Sequence, residues 1–162
     1  LVYGAGVQTA LASLRSWGVL EDFATVKQFR DNWLNTYSYF KEWHRMHQKH
    51  FRMYGYKDIE TALGRPVRTF TLTDALNIPI QGSSAEVQKM SLKLLSKRYP
   101  AEYIINSIHD SNCLLVPEDE AERWIERRNE CMVDALYYVI RDLAIPDLPM
   151  PAEATSGQIW NF

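Results

Sequence analysis

Apolar residues recur along much of the chain with the three- and four-residue spacing of amphipathic helices. The first such segment, residues 7–17, predicts a short helix that ends at Gly18. The second, residues 23–53, predicts one long helix whose apolar face is mostly aromatic. The members of this face are Phe23, Val26, Phe29, Trp33, Tyr37, Phe40 and Trp43. Two further helices are predicted over residues 83–97 and 118–143.

The later helices begin at residues that favour helix N-termini. Ser83 or Ser84 is the predicted N-cap of the third helix, and Glu86 lies near the position of a capping box. Residues 76–79, just before this helix, are predicted to be extended. The fourth helix follows Pro117 and has acidic residues in its first turn, where they complement the helix dipole.

Two segments combine short apolar stretches with turn residues and predict β-hairpins. Residues 54–72 carry the turn signal Gly64-Arg65-Pro66. Strands at 103–108 and 113–116 are joined by the polar turn His109-Asp110-Ser111-Asn112. The order helix, helix, hairpin, helix, hairpin, helix predicts an α+β fold, in which a small antiparallel sheet is covered by long helices.

The composition is that of an ordinary globular protein, and it narrows the function classes. Of the 162 residues, 46% are hydrophobic and 23% are charged, and the formal net charge is −2. This balance gives no global attraction for nucleic acid, so a nucleic-acid role requires local basic patches. The chain has no run of about 18 apolar residues, which argues against a membrane-spanning helix.

The sequence also predicts the state of the cysteines and of the C-terminal tail. Cys113 and Cys131 lie in apolar or helical contexts and are predicted to be reduced, as in a cytoplasmic protein, with a disulfide as the less favoured alternative. The tail, residues 144–162, is rich in proline but carries Trp160, which favours docking over disorder.

The turn at His109-Asp110 has two interpretations. Asp is common in turns because its side chain bonds nearby backbone N–H groups, and Asn112 would complete such a turn. Alternatively, the turn presents Asp110 to a divalent cation, because Mg²⁺ prefers oxygen ligands and usually keeps substrate phosphates as partners. A single carboxylate makes a weak site, so the second interpretation requires another carboxylate from elsewhere.

Three histidines, His44, His47 and His50, recur at three-residue spacing on the long helix. They are spread over too wide an arc of the helix surface to bind one zinc ion easily. Lysines and arginines are interleaved with them. The pattern favours a solvated basic face, with phosphate contact as the alternative and a metal site as the least favoured interpretation.

Three further polar residues have both a structural and a binding interpretation. Asn77 and Gln81 flank "IPI" before the third helix. Amides there often cap backbone groups, but they also match the acceptors of the DNA minor groove. Arg65, at the tip of the first hairpin, is predicted to be exposed, either as a plain surface residue or as a phosphate contact.

Five segments, in one order along the chain, resemble the C-terminal part of the A-family DNA polymerases, the bacterial DNA polymerase I group. They are "YG" at 3–4, "GYKDIETALGRPV" at 55–67, "NIPIQGSSAEVQKMSLKLL" at 77–95, "SIHDSNCLLVPEDEAE" at 107–122 and "GQIW" at 157–160. The family reads similarly, with a "YG" closing the nucleotide-binding helix, a "T-L-x-G-R" hairpin, "N-x-P-x-Q-G-T-A-A-D", "V-H-D-E" and "G-x-x-W". The pair of "NIPIQGSSAE" and "IHDS" is the most specific part of the resemblance.

The resemblance implies template-directed nucleotidyl transfer by two-metal catalysis. Asp110 looks like the motif C aspartate that binds the catalytic Mg²⁺ ions in the palm, and His109 would lie against the primer terminus. Primer–template DNA and dNTPs are the implied partners.

The same resemblance implies four residues that contact nucleic acid. Asn77 and Gln81 would face the minor groove of the nascent duplex. Tyr3 would stack at the insertion site, and Arg65 would touch the template strand or help to order its hairpin.

One departure from the family pattern bears on the choice of nucleic acid. Ser111 stands where the DNA polymerases usually have glutamate, so the second carboxylate is missing there. "HDS" is typical of the related single-subunit phage-type RNA polymerases, whereas "QGSSAE" and "GQIW" favour a DNA polymerase. The resemblance thus favours a DNA polymerase, which could be a phage or prophage enzyme. The alternatives are that the chain is part of a phage-type RNA polymerase, or a non-catalytic nucleic-acid-binding module with this fold.

The resemblance also implies that these residues are one part of a larger enzyme. Residues 1–53 correspond to part of the fingers helices, and residues 54–162 correspond to a palm segment. The family's other metal-binding aspartate and its triphosphate-binding Lys and Arg precede the matched region, so the chain alone is expected to be inactive. Its expected partners are the N-terminal part of the polymerase and, through uncovered apolar faces, a second copy of itself.

Overall fold

The computed structural model describes residues 2–143 and 148–157, and the structural statements below concern these residues. The helices and strands confirm the α+β class. In chain order they are α1 (Val7–Ser16), α2 (Phe23–Thr36), α3 (Ser38–Tyr54), β1 (Lys57–Glu60), β2 (Pro66–Thr69), α4 (Leu72–Asn77), α5 (Ser83–Arg98), β3 (Ile104–Ile108), β4 (Ser111–Leu114) and α6 (Ala121–Ile140). No helix in this part of the chain is both long and apolar enough to cross a membrane.

The chain divides into two compact units. The first unit contains the chain up to Glu60 together with Pro66–Ile80, and the second contains Thr61–Arg65 together with the chain from Gln81 onward. The tip of the first hairpin therefore belongs to the second unit. The assignment of residues 1–53 to fingers and 54–162 to palm stays a prediction.

Both predicted hairpins are present, and each forms its own two-stranded antiparallel sheet. In the first, β1 pairs with β2 from Lys57↔Thr69 to Glu60↔Pro66. In the second, β3 pairs with β4 from Ile104↔Leu114 to Ile108↔Ser111, with an irregular register near the open end. The connecting turn is therefore only two residues long, and Asn112 lies in a strand where the sequence predicted a turn residue.

The predicted single helix over residues 23–53 is wrong, because the chain breaks at Tyr37. Tyr37 has φ −103° and ψ 65°, outside the helical region, and separates α2 from α3. Asn35, Thr36 and Ser38 surround the break. Their short polar side chains compete for backbone hydrogen bonds, which makes this the weakest point of the segment.

Two of the three histidines of α3 are packing residues, so the predicted solvated face is wrong for these two. His44 and His47 are buried. The Nε2 atom of His44 lies 2.6 Å from the Val2 carbonyl oxygen, and Nδ1 of His47 lies 2.9 Å from that of Trp43. Burial lowers the pKa of His47, which favours its neutral form. The basic residues interleaved with them, Lys41, Arg45, Lys49 and Arg52, remain exposed.

Residues 76–79 are helical, so the predicted extended conformation is wrong. The Thr71 hydroxyl caps α4 by accepting from the Asp74 N–H at 3.1 Å. A π-helical turn, Ile78–Gly82, then leads directly into α5. The wider π turn accommodates the ring of Pro79, which would clash with the preceding turn of a regular α-helix.

This continuous entry into α5 also overturns its predicted capping. Gly82 takes the N-cap position, in a helical conformation and without a side-chain hydrogen bond. The Ser83 hydroxyl instead accepts from the Ala62 N–H at 2.8 Å, and Glu86 bonds outside its own helix. A helix that continues from a π turn has no free first turn to cap.

The core of the second unit lies between α5 and α6. Leu136, Val139 and Ile140 form its buried centre, and Met150 from the tail packs against it. This contact confirms the docked tail within residues 148–157. The rest of the predicted tail, including Trp160, lies outside the described residues. Both cysteines are free, as predicted.

Candidate active site

The β3–β4 turn consists of His109 and Asp110, and both side chains are exposed. His109 has φ 51°, in the left-handed region that costs a non-glycine residue about 1–2 kcal/mol. Such backbone strain is concentrated at functional turns. The turn therefore presents a carboxylate to solvent at the tip of a hairpin, as both sequence interpretations require.

The Asp110 turn itself supplies one carboxylate, and the described residues do not complete a metal-binding donor set around it. No group of three His, Cys, Asp or Glu side chains in residues 2–143 and 148–157 is arranged to hold a metal ion. Asp110 is free to act as a single oxygen ligand, and its neighbour Ser111 brings no charge. The site thus fits Mg²⁺ only where further carboxylates come from elsewhere.

A buried arginine lies within electrostatic reach of this turn. Arg128 on α6 is buried, and its Nη1 donates to the Glu153 carbonyl at 2.7 Å and to Asn129 at 2.9 Å. Burial lowers the pKa of the Arg128 guanidinium, while the negative charge of Asp110 acts in the opposite direction. Arg128 thereby ties the tail to α6 and adds positive potential near Asp110.

Behind the turn, a cluster of buried polar side chains connects the hairpin to α5. The Gln88 amide group donates to Ser107 Oγ at 2.9 Å, to the Ser111 carbonyl at 3.0 Å and to Asn112 Oδ1 at 2.5 Å. The Asn112 amide in turn donates to Ser91 Oγ at 2.9 Å. Gln88, Ser91 and Asn112 are all buried. We call these three residues the Gln88 cluster.

A second cluster fixes the tip of the first hairpin, where Arg65 lies. The buried Glu86 carboxylate accepts from the Thr61 hydroxyl and, at 3.1 Å, from the Leu63 N–H. The Arg65 side chain forms an ion pair with Glu86 at 3.5 Å and is 54% exposed. Arg65 is therefore anchored on one side and accessible on the other, as a phosphate contact requires.

We expect replacement of Glu86 to destabilise the protein far more than replacement of an exposed residue of the same helix. In Glu86→Ala, the Thr61 hydroxyl and the Leu63 N–H lose a buried acceptor, which costs about 1–3 kcal/mol. Lys89→Ala, at an exposed position of α5, should change stability by less than about 0.5 kcal/mol. Urea unfolding compares the two variants. Equal midpoints would show that the contacts of Glu86 with Thr61 and Leu63 contribute nothing to the fold.

Helix α5 thus contacts the tip of the first hairpin with one side and the second hairpin with its opposite side. At about 100° per residue, Glu86 and Gln88 point about 200° apart on the helix. One side binds residues of the segment 61–65, and the other binds the strands that flank Asp110. Arg65 and the Asp110 turn are therefore separate features of the second unit that share one support.

The remaining candidates belong to both units. Tyr3 is half-buried in the first unit, next to Gly4, which has φ 77°. A Cβ atom on Gly4 would lie 2.8 Å from Leu76 Cδ1, so only glycine fits this "YG". Asn77 ends α4, and its Oδ1 is buried without a hydrogen-bond partner among the described residues. Gln81 lies in the π turn, where the second unit resumes, and is exposed.

Sequence reasoning missed Gln88 and Ser91 and assigned Asn112 to the turn. One signal was available, because residues 88, 91 and 95 follow the helical spacing of a single face. Leu95 is buried on that face. Polar residues that share a helix face with a core leucine are candidates for a buried network.

Comparisons with known proteins identify the family to which the chain belongs. The family model described as DNA polymerase family A matches residues 1–162. DNA polymerase I of Aquifex aeolicus (strain VF5) is 26% identical over 166 residues, which cover 99% of this chain and 28% of that protein. The thermostable DNA polymerase I of Thermus filiformis is 26% identical over 154 residues, 86% of this chain and 17% of that protein. The chain thus spans less than a third of the length of these relatives. It belongs to DNA polymerase family A.

Proposed function

We propose that this chain is the C-terminal part of a DNA-directed DNA polymerase and supplies the Asp110 turn to its active site. The observation that carries the proposal is the family match over the whole chain, combined with an exposed aspartate at a hairpin tip. The reaction is template-directed nucleotidyl transfer onto a primer.

Each candidate residue has a defined task in this reaction. Asp110 would hold Mg²⁺ together with carboxylates from the rest of the enzyme. When bound, the metal lowers the pKa of the primer 3′-hydroxyl and neutralises charge on the transferred phosphate. His109 contacts the primer terminus, and Arg65 contacts a backbone phosphate of the template.

Three residues would contact the nascent base pair in a way that depends on its geometry and not on which bases it contains. Asn77 and Gln81 donate to the N3 and O2 acceptors of the minor groove, which are present in every correct pair. Tyr3 stacks at the insertion site. Contacts that do not depend on base identity suit an enzyme that must copy any template.

Ser111 supports a second candidate, a phage-type RNA polymerase, because it removes the acidic neighbour of Asp110. Primer extension by the complete enzyme with dNTPs or with NTPs distinguishes the two. We expect incorporation of dNTPs on a primed DNA template. Exclusive use of NTPs would assign the chain to the RNA polymerases, and use of neither would favour a non-catalytic nucleic-acid-binding module.

The isolated chain is expected to self-associate through α1, α2 and the segment between them. Several large apolar side chains there are exposed, including Trp17 at 76%, Leu20 at 86% and Phe29 at 66%. Apolar surface of this kind normally marks a contact with another part of a protein. Sedimentation velocity should show association that is weakened by Phe29→Glu. Gln28→Glu, which adds the same charge at the neighbouring exposed position, is the matched control, and a strict monomer at high concentration would contradict this prediction.

A further inference from the structure

We propose that Gln88 is a positioning residue, which holds the Asp110 turn in place through the Gln88 cluster. This inference rests on the proposed function, since it concerns how that active site is held. Gln88 itself reaches no reacting group. Its effect passes through the two strands that carry the turn.

The β3–β4 hairpin needs such a support, because its own ladder is weak. The strands are five and four residues long and, among the described residues, pair only with each other. The register is irregular between Ile104 and Asn106. A two-stranded hairpin of this size is only marginally stable by itself in water, so the place of its tip depends on contacts to the rest of the unit.

Gln88 holds both strands close to the turn. Ser107 belongs to β3, and Ser111 and Asn112 belong to β4. Ile108↔Ser111 is the last pair before the turn, so every contact of the Gln88 amide lies within three residues of Asp110. A side chain that bonds both strands at this point restrains their separation and their sliding along the helix.

The hydrogen bonds of the Gln88 cluster form a closed ring, which favours one arrangement of its side chains. The Gln88 side-chain amide donates to Asn112, Asn112 donates to the Ser91 hydroxyl, and Ser91 donates to the main-chain carbonyl of Gln88 at 2.8 Å. The two N–H groups of Gln88 are shared among three acceptors. A buried polar network whose members are all satisfied selects one geometry, because any shift leaves a buried group unpaired.

The test compares variants of the complete polymerase in single-turnover primer extension. Gln88→Met removes both donors with little change in side-chain length. We expect its kcat to fall about 10–100-fold, as for other residues that orient a metal ligand. The KM for dNTP and the Kd for primer–template DNA should be nearly unchanged.

Two further variants separate positioning from stability. Val139→Ala removes apolar contacts in the core of the same unit and should lower the melting temperature without lowering kcat. The double variant Gln88→Met with Asn112→Leu replaces both amides by apolar side chains, so it should melt close to the wild type. Its kcat should stay low, because the apolar pair cannot bond Ser107 and the Ser111 carbonyl.

Amide hydrogen exchange gives a readout that does not depend on activity. Peptides that cover residues 107–112 should exchange faster in both Gln88 variants than in the wild type or in Val139→Ala. Unchanged exchange, or a double variant with wild-type kcat, would overturn the positioning role. Absence of any extension by the wild-type enzyme would instead refute the proposed function, so the two failures are distinguishable.

Discussion

Residues 1–162 by themselves are expected to give no template-directed extension of a primer at any Mg²⁺ concentration. Nucleotidyl transfer by metal ions requires several carboxylates around a pair of cations and a cationic cradle for the triphosphate. The Asp110 turn offers one exposed carboxylate, and the described residues contain no metal-binding group of three acidic, histidine or cysteine side chains. A single carboxylate in water holds Mg²⁺ too weakly to organise the reaction.

The measurement is incorporation of labelled dNTP by the purified chain on a primed template. The same chain carrying Asp110→Ala, purified in parallel, reports any contaminating host polymerase. Equal background in both samples is the expected result. Incorporation by the wild-type chain that disappears in Asp110→Ala would show that the chain is sufficient for catalysis.

The helices that pack as simple amphipathic elements were predictable from the sequence. The predicted ranges 7–17, 83–97 and 118–143 match α1, α5 and α6 to within three residues at each end. Helices α1 and α6 each bury one face, so the spacing of their apolar residues follows directly from the helix period. Helix α5 has buried residues on two sides, and its predicted capping residues and acidic first turn helped to locate it. The α+β class follows from the order of these segments.

The break at Tyr37 escaped prediction because the aromatic face runs through it. The rings of Trp33 and Tyr37 lie 5.1 Å apart, and those of Trp33 and Phe40 lie 5.4 Å apart. Hydrophobic periodicity records which side chains lie on one side of the chain, and here the ring contacts continue across the break although Tyr37 itself is exposed. The backbone therefore leaves the helix without disturbing the pattern.

The exposed part of the candidate site was easier to predict than its buried support. Asp110 and Arg65 are exposed at hairpin tips, as the turn signals in the sequence predicted. Gln88 and Ser91 are polar, and a polar residue on an amphipathic helix is assigned to solvent by default. Their burial depends on a hairpin about 20 residues further along the chain, which no local pattern reveals.

Replacement of Asp110 in the complete enzyme is expected to have the largest effect of any single substitution in this chain. Loss of one key electrostatic contact commonly lowers kcat by about 10²–10³-fold. A shared metal ligand belongs at the upper end of this range or beyond it. Affinity for duplex DNA should hardly change, because phosphate and groove contacts elsewhere determine it.

Two variants identify the cause of this loss. Asp110→Asn keeps the size of the side chain and its capacity to bond turn N–H groups, but it removes the negative charge. If the charge holds the metal, Asn should be nearly as damaging as Ala. Ser111→Ala changes the neighbouring exposed position without touching a charge, so its effect on kcat should be far smaller.

The metal-ligand role of Asp110 is tested most directly by single-turnover primer extension with the complete Asp110→Asn enzyme at saturating DNA, together with its melting temperature. The metal-ligand role predicts a melting temperature close to that of the wild type and a rate lower by about 10²-fold or more. A folded Asp110→Asn enzyme that extends primers at nearly the wild-type rate would contradict the account, because Asp110 would then only shape its turn.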